Sequence, residues 1–170
     1  GMRISVETVV SLLAQGESAI REPLDSGDTR SALVAARGFG ADIREEPGLW
    51  RVRGLGGPPA GKKQTIDVGN SGTTLYIALG AAALLREGEI RFDGDDQIRR
   101  RSAANLIQSL NDLGADIRAL GGKPGCCPIV VRPRLKGGRT VIECPTSQYL
   151  TSLLINAPLA ELLHRHRQLS

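Results

Sequence analysis

Aromatic residues are scarce in this chain. It has one Trp, two Tyr and two Phe in 170 residues. A surface of stacking rings for single-stranded nucleic acid is therefore excluded, because such surfaces need an aromatic for successive bases. Cysteine is scarce too: Cys126, Cys127 and Cys144 are odd in number, and two are adjacent. Neither a disulfide framework nor a C-x-x-C metal or redox pair fits that spacing. Histidine occurs only as His164 and His166, near the end and without cysteine or carboxylate partners at metal-ligand spacing. No apolar run approaches the roughly 20 residues that span a bilayer. The opening residues lead into no apolar stretch of the secretory kind. These absences predict a reduced, cytoplasmic protein with no metal, no cofactor, no nucleic acid and no membrane partner.

What is present is aliphatic and mildly basic. Hydrophobic residues make up 41% of the chain, enough for a core of Leu, Ile, Val and Ala. The net charge is +4, which suits a small anionic ligand as well as a polyanion.

The chain also repeats itself. Gly40-Ala41-Asp42-Ile43-Arg44 recurs unchanged as Gly114-Ala115-Asp116-Ile117-Arg118, 74 positions later. Leu12-Leu13-Ala14-Gln15-Gly16-Glu17 matches Leu84-Leu85-Arg86-Glu87-Gly88-Glu89, 72 positions apart. A period above 70 is too long for common solenoid repeats and suits a whole supersecondary unit.

Hydrophobic periodicity fills in that unit. In the first copy it predicts a helix over 6–14, a strand over 18–21, and a helix over 29–37 capped by Asp28. A hairpin of 41–44 with 49–53 follows, then a loop over 54–63. The second copy reads as a strand at 65–68, helix 73–85, strand 89–92, helix 102–113, and strands 115–120 and 129–132. A third opens with strand 140–144 and helix 147–163, with Pro158 at a potential kink. The fold class is α/β with α+β-like character, built from repeated βαβαββ units. Residues 1–170 read as a single, incomplete domain with units near 1–63, 64–136 and 137–170.

Two junctions carry the chemistry. Asn70-Ser71-Gly72-Thr73-Thr74 links a short apolar strand to a long apolar helix. Some 76 positions later, Pro145-Thr146-Ser147-Gln148 makes a similar junction. Hydroxyls there cap free N–H groups, and a glycine lets a ligand approach the backbone. Exposed N–H groups at the positive end of a helix are ready anion sites. Ordinary capping accounts for the same residues, and the two roles are compatible.

Four stretches give the chain a resemblance to a known family. Leu24-Asp25-Ser26-Gly27-Asp28-Thr29, Gly69-Asn70-Ser71-Gly72-Thr73, Arg99-Arg100-Arg101 before Leu113-Gly114-Ala115, and Ser147-Gln148-Tyr149-Leu150-Thr151 with Ala157-Pro158-Leu159-Ala160 occur in order. The pattern resembles the N-terminal part of 5-enolpyruvylshikimate-3-phosphate synthases (3-phosphoshikimate 1-carboxyvinyltransferases). The resemblance implies a two-domain transferase of the shikimate pathway, each domain holding three βαβαββ units, with ligands between the domains. It implies transfer of enolpyruvyl from phosphoenolpyruvate to shikimate 3-phosphate, by methylene protonation, attack by the 5-hydroxyl and loss of phosphate.

Carried over residue by residue, the resemblance makes Arg101, Gly72 and Gln148 ligands of phosphoenolpyruvate, with Asn70 and Ser71 shaping the loop. It makes Thr146, Ser147 and Gln148 ligands of shikimate 3-phosphate. Arg99 and Arg100 stay a solvated basic pair, Lys62 and Lys63 a loop charge. No residue here is assigned as a catalytic acid or base. Three departures stand out. Gly1 and Val6 occupy the positions of the family's Lys-Ser-x-x-x-Arg lysine and arginine, Tyr76 stands where many relatives carry arginine, and residues 161–170 diverge. The expectation is a chain inactive alone, binding a phosphorylated metabolite, pairing with a complementary C-terminal half, or self-associating through the apolar face of an unfinished third unit.

Overall fold

The computed structural model describes residue 8 and residues 10–59, 61–132 and 135–168, with side chains to residue 160. Residues 10–13 are helical and lead into β1 (Glu17–Arg21). Helix α1 (Gly27–Gly38), β2 (Asp42–Glu46) and β3 (Leu49–Arg53) follow. After the loop come β4 (Gln64–Asp67), α2 (Gly72–Ala83), β5 (Ile90–Asp93) and a 3₁₀ turn (Ile98–Arg100). Next are α3 (Ala104–Asp112), β6 (Asp116–Ala119), β7 (Ile129–Arg132) and α4 (Ser147–Gln168).

The sequence repeat is a structural repeat. One sheet has the order β1-β3-β2, all antiparallel. The other has the order β4-β5-β7-β6, in which β5-β7-β6 repeats that antiparallel arrangement and β4 joins β5 in parallel. The register repeats as well: Ile43 faces Val52 in the first sheet, and Ile117 faces Val131 in the second. All four side chains are buried.

The repeated Gly-Ala-Asp-Ile-Arg string has a local cause. Gly40 (φ +102°) and Gly114 (φ +97°) each follow a helix in the left-handed conformation. Gly40 N–H donates to the Arg37 carbonyl and Ala41 N–H to that of Ala36. Gly114 and Ala115 do the same with Asn111 and Leu110. This double bond pattern is a Schellman cap, which needs a residue tolerant of positive φ. The next residues then enter a strand with the isoleucine inward.

Helix α2 is the centre of the molecule. All twelve of its residues are buried, as an all-round apolar helix requires. It packs against α1, α3, α4 and β7, most extensively against α4. Gly80 makes that crossing close: a Cβ there would lie 2.4 Å from Ser152 Oγ and 2.5 Å from Asn156 Nδ2. Ser152 Oγ donates to the Tyr76 carbonyl at 2.7 Å, tying α4 to α2 through the buried contact.

Two sequence expectations need correction. Residues 140–144 are not a strand. A strand needs a backbone ladder, and side chains of α3 meet this segment instead: Asn105 Nδ2 donates to the Glu143 carbonyl at 3.0 Å, and Ser109 Oγ pairs with Thr140 Oγ1 at 3.0 Å. Nor is Asp28 the cap of α1. Ser26 is, in a reciprocal box with Thr29, and Asp28 lies in the first turn. Pro158 lies inside α4, which continues past it to Gln168. The N-terminal signature positions Gly1 and Val6, and the side chains of His164 and His166, lie outside the described residues.

Candidate anion site at two helix starts

The starts of α2 and α4 meet. Ser71 caps α2, its Oγ accepting from Thr74 N–H at 3.2 Å. At α4, Thr146 Oγ1 accepts from Gln148 N–H at 3.3 Å. The Gln148 amide then reaches across and donates to Thr73 Oγ1 at 2.8 Å. Neither helix has an acidic residue in its first turn, whereas α1 has Asp28 there. The positive ends of both dipoles are therefore left uncompensated by their own side chains.

Arg101 closes the same place from the side. It follows the 3₁₀ turn, and its Nη1 lies 3.0 Å from where a Cβ of Gly72 would be. Any larger residue at 72 would press on the guanidinium. The neighbouring arginines differ from it. Arg99 is committed to Asp93, donating from Nε at 2.9 Å and Nη2 at 3.2 Å. That pair holds the Asp93 carboxyl below its usual range, with Gly94 N–H assisting against desolvation. The Arg101 guanidinium makes no hydrogen bond or ion pair with a described residue, so its planar fork remains available to a carboxylate or phosphate.

The six candidate ligands thus fall into distinct positions. Gly72 and Arg101 touch one edge. Thr146, Ser147 and Gln148 form the start of α4, joined to that edge by the Gln148–Thr73 bond. Asn70 plays a different part: its Nδ2 donates to Gln97 Oε1 at 2.8 Å, fastening the loop that carries Arg101 to the turn before α2.

Tyr76 and Tyr149, the chain's two tyrosines, were passed over as site residues, although Tyr149 follows Gln148 directly. They pack edge to face with centroids 4.9 Å apart. The Tyr76 ring lies 3.4 Å from the Gly72 Cβ position, and Tyr149 Oη donates to the Ser102 carbonyl at 2.7 Å. Burial raises both hydroxyls, Tyr149 to about 12, so both stay neutral. The signal available in the sequence was scarcity: two tyrosines in an aromatic-poor chain, each one or two residues after a junction motif. Cys127 is buried, and burial pushes its thiol up to about 12.

A separate cavity of about 1130 Å³ lies between α4, the end of α3 and residues 135–141. It includes none of the six candidate ligands. Among the described residues no group of three or more His, Cys, Asp or Glu is placed to hold a metal ion. No helix among them is long and apolar enough to cross a membrane.

A strand-turn-helix junction before α2, the start of α4 bonded to it through Gln148 and Thr73, and the Arg101 guanidinium beside Gly72 form one surface. The profile of EPSP synthase (3-phosphoshikimate 1-carboxyvinyltransferase) matches residues 6–166. The chain belongs to the EPSP synthase family. A 3-phosphoshikimate 1-carboxyvinyltransferase of Acetivibrio thermocellus is 46% identical over 150 residues, covering 88% of this chain and 35% of the relative. The protein of that name from Methanothrix thermoacetophila is 39% identical over 142 residues, covering 83% and 33%. The EPSP synthase structure from Acinetobacter baumannii superposes with a TM-score of 0.80 at 22% identity, covering 92% of this chain and 36% of that one. At that identity the superposition speaks for the fold. The chain spans about a third of the length of these family members.

Proposed function

We propose that this chain forms the part of a 3-phosphoshikimate 1-carboxyvinyltransferase that binds and orients both substrates. The observation that carries the reading is the Arg101 fork, without a side-chain partner among the described residues, beside two helix starts that have no acid in their first turns and are bonded to each other through Gln148 and Thr73. Arg101, the Gly72 backbone and Gln148 hold phosphoenolpyruvate. Thr146, Ser147 and Gln148 hold shikimate 3-phosphate, hydroxyls and N–H groups serving its phosphate. Preorganised donors of this kind stabilise charge where it develops, without reorganising at the moment of reaction.

The same residues account for an expected lack of turnover. Asn70, Thr146, Ser147, Gln148 and Arg101 are hydrogen-bond donors, and none of them is a carboxylate or imidazole. A proton donor for the methylene carbon and a base for the 5-hydroxyl must come from elsewhere in a complete enzyme. In this reading residues 1–170 form one domain of repeating units, and a C-terminal half faces the two helix starts. Exposed Leu150 and Leu154 on α4 are a place for self-association or for that half to rest.

Titration calorimetry at low salt tests the reading. Shikimate 3-phosphate is expected to bind, and Ser147→Ala to weaken it at least fivefold. Phosphoenolpyruvate is expected to lose its heat in Arg101→Ala. No heat from either ligand at millimolar concentration would overturn the proposal, and phosphate release requiring both substrates would overturn the expected inactivity.

A further inference from the structure

We infer that Tyr149 is a positioning residue that holds Arg101 over the start of α2. This inference rests on the anion-site reading of Arg101. Among the bonds that hold the loop bearing Arg101, two come from the candidate site, one on either side of the arginine. Upstream, Gln97 is fastened by Asn70. Downstream, the Ser102 carbonyl accepts the Tyr149 hydroxyl at 2.7 Å. Both clamps reach out from the junctions that form the site, one before α2 and one in the first turn of α4.

The rest of the local bonding leaves this clamp a clear task. Arg101 N–H closes the 3₁₀ turn on the Ile98 carbonyl at 3.0 Å, and Ser102 Oγ donates to the Pro124 carbonyl at 2.7 Å. These fix the loop to itself and to residues 121–127. The Tyr149 hydroxyl ties the Ser102–Ala103 peptide, one residue past Arg101, to α4. Tyr149 is 4% exposed, and its ring is braced edge-on by Tyr76, whose own ring stands against Gly72. A buried phenol needs a partner for its hydroxyl. Here the partner is the Ser102 carbonyl, in the peptide one residue past the arginine, so the bond holds the backbone from which the guanidinium extends.

The test is Tyr149→Phe, which keeps the ring and removes the hydroxyl. Amide exchange read by mass spectrometry on peptides covering 98–104 needs no ligand. One lost hydrogen bond predicts exchange at Arg101 and Ala103 about fivefold faster. Calorimetry then predicts phosphoenolpyruvate binding weakened about fivefold, while shikimate 3-phosphate at the start of α4 changes less than about twofold. Unchanged exchange would overturn the inference. So would equal weakening of both ligands, which is the mark of general loosening. If the unaltered chain binds no phosphoenolpyruvate, the functional reading falls, and the exchange data still decide the role of Tyr149.

Discussion

Replacing Gly94 by alanine sets two effects of opposite sign against each other. Gly94 follows β5, and its φ is not in the left-handed region, so alanine is conformationally acceptable there. In an open loop this change would stabilise by about 0.4–1 kcal/mol, by restricting the unfolded chain. Gly94 is not in the open. A Cβ would lie 2.2 Å from the Gly69 carbonyl oxygen and 2.7 Å from Ile98 Cγ2. The first atom is backbone and cannot rotate away. The Gly69 carbonyl also accepts Asp95 N–H at 3.0 Å, a bond that any separation would stretch. Overpacking costs about 1–3 kcal/mol, and a lost hydrogen bond about 1 more. The clash wins, by about 2 kcal/mol after the entropy gain is subtracted. For a chain of this size the Tm should fall by roughly 4–8 °C in scanning calorimetry. The loop carries Arg101, so phosphoenolpyruvate affinity should fall in the same variant. A Tm that is unchanged or raised would refute the argument, and with it the close approach of the β5 end to the turn before α2.

Two further outcomes follow from other contacts. Ser26→Ala removes the side-chain half of the α1 capping box and should cost about 1 kcal/mol in urea unfolding, whereas Asp28→Ala should cost less. Asp93 has a folded pKa held below 3.8 by Arg99, so its stabilising contribution is complete above that value and is lost as pH falls through the lower folded pKa. Asp93→Asn should therefore flatten the acid limb of a Tm-against-pH curve below about pH 4, and an identical limb would count against the pair.

Some of this architecture is written locally. Schellman glycines at 40 and 114 and the cap at Ser71 follow from interactions within a few residues. Such interactions leave a pattern that spacing alone reveals. The misplaced cap of α1 shows the limit of that reading. Both Ser26 and Asp28 are good capping residues, and the reciprocal bonds with Thr29 decided between them. Residues 140–144 have the composition of a strand, but a strand exists only where a partner offers a ladder, and here α3 offers side chains, Asn105 to the Glu143 carbonyl and Ser109 to the Thr140 hydroxyl.

The sequence by itself determined the repeating units, the Schellman glycines and the two helix starts at Ser71 and Ser147, because helix ends, turns and alternation are short-range physics. Only the tertiary structure decided which junctions share a site. Gln148 lies 75 positions from Thr73, and Tyr149 lies 47 from Ser102. Those pairs meet because a wholly buried α2 draws α4 across it at Gly80. That packing free energy is spread over the whole core and is encoded in no single segment. It also separates Arg99, spent on Asp93, from Arg101, whose guanidinium has no ion-pair partner among the described residues.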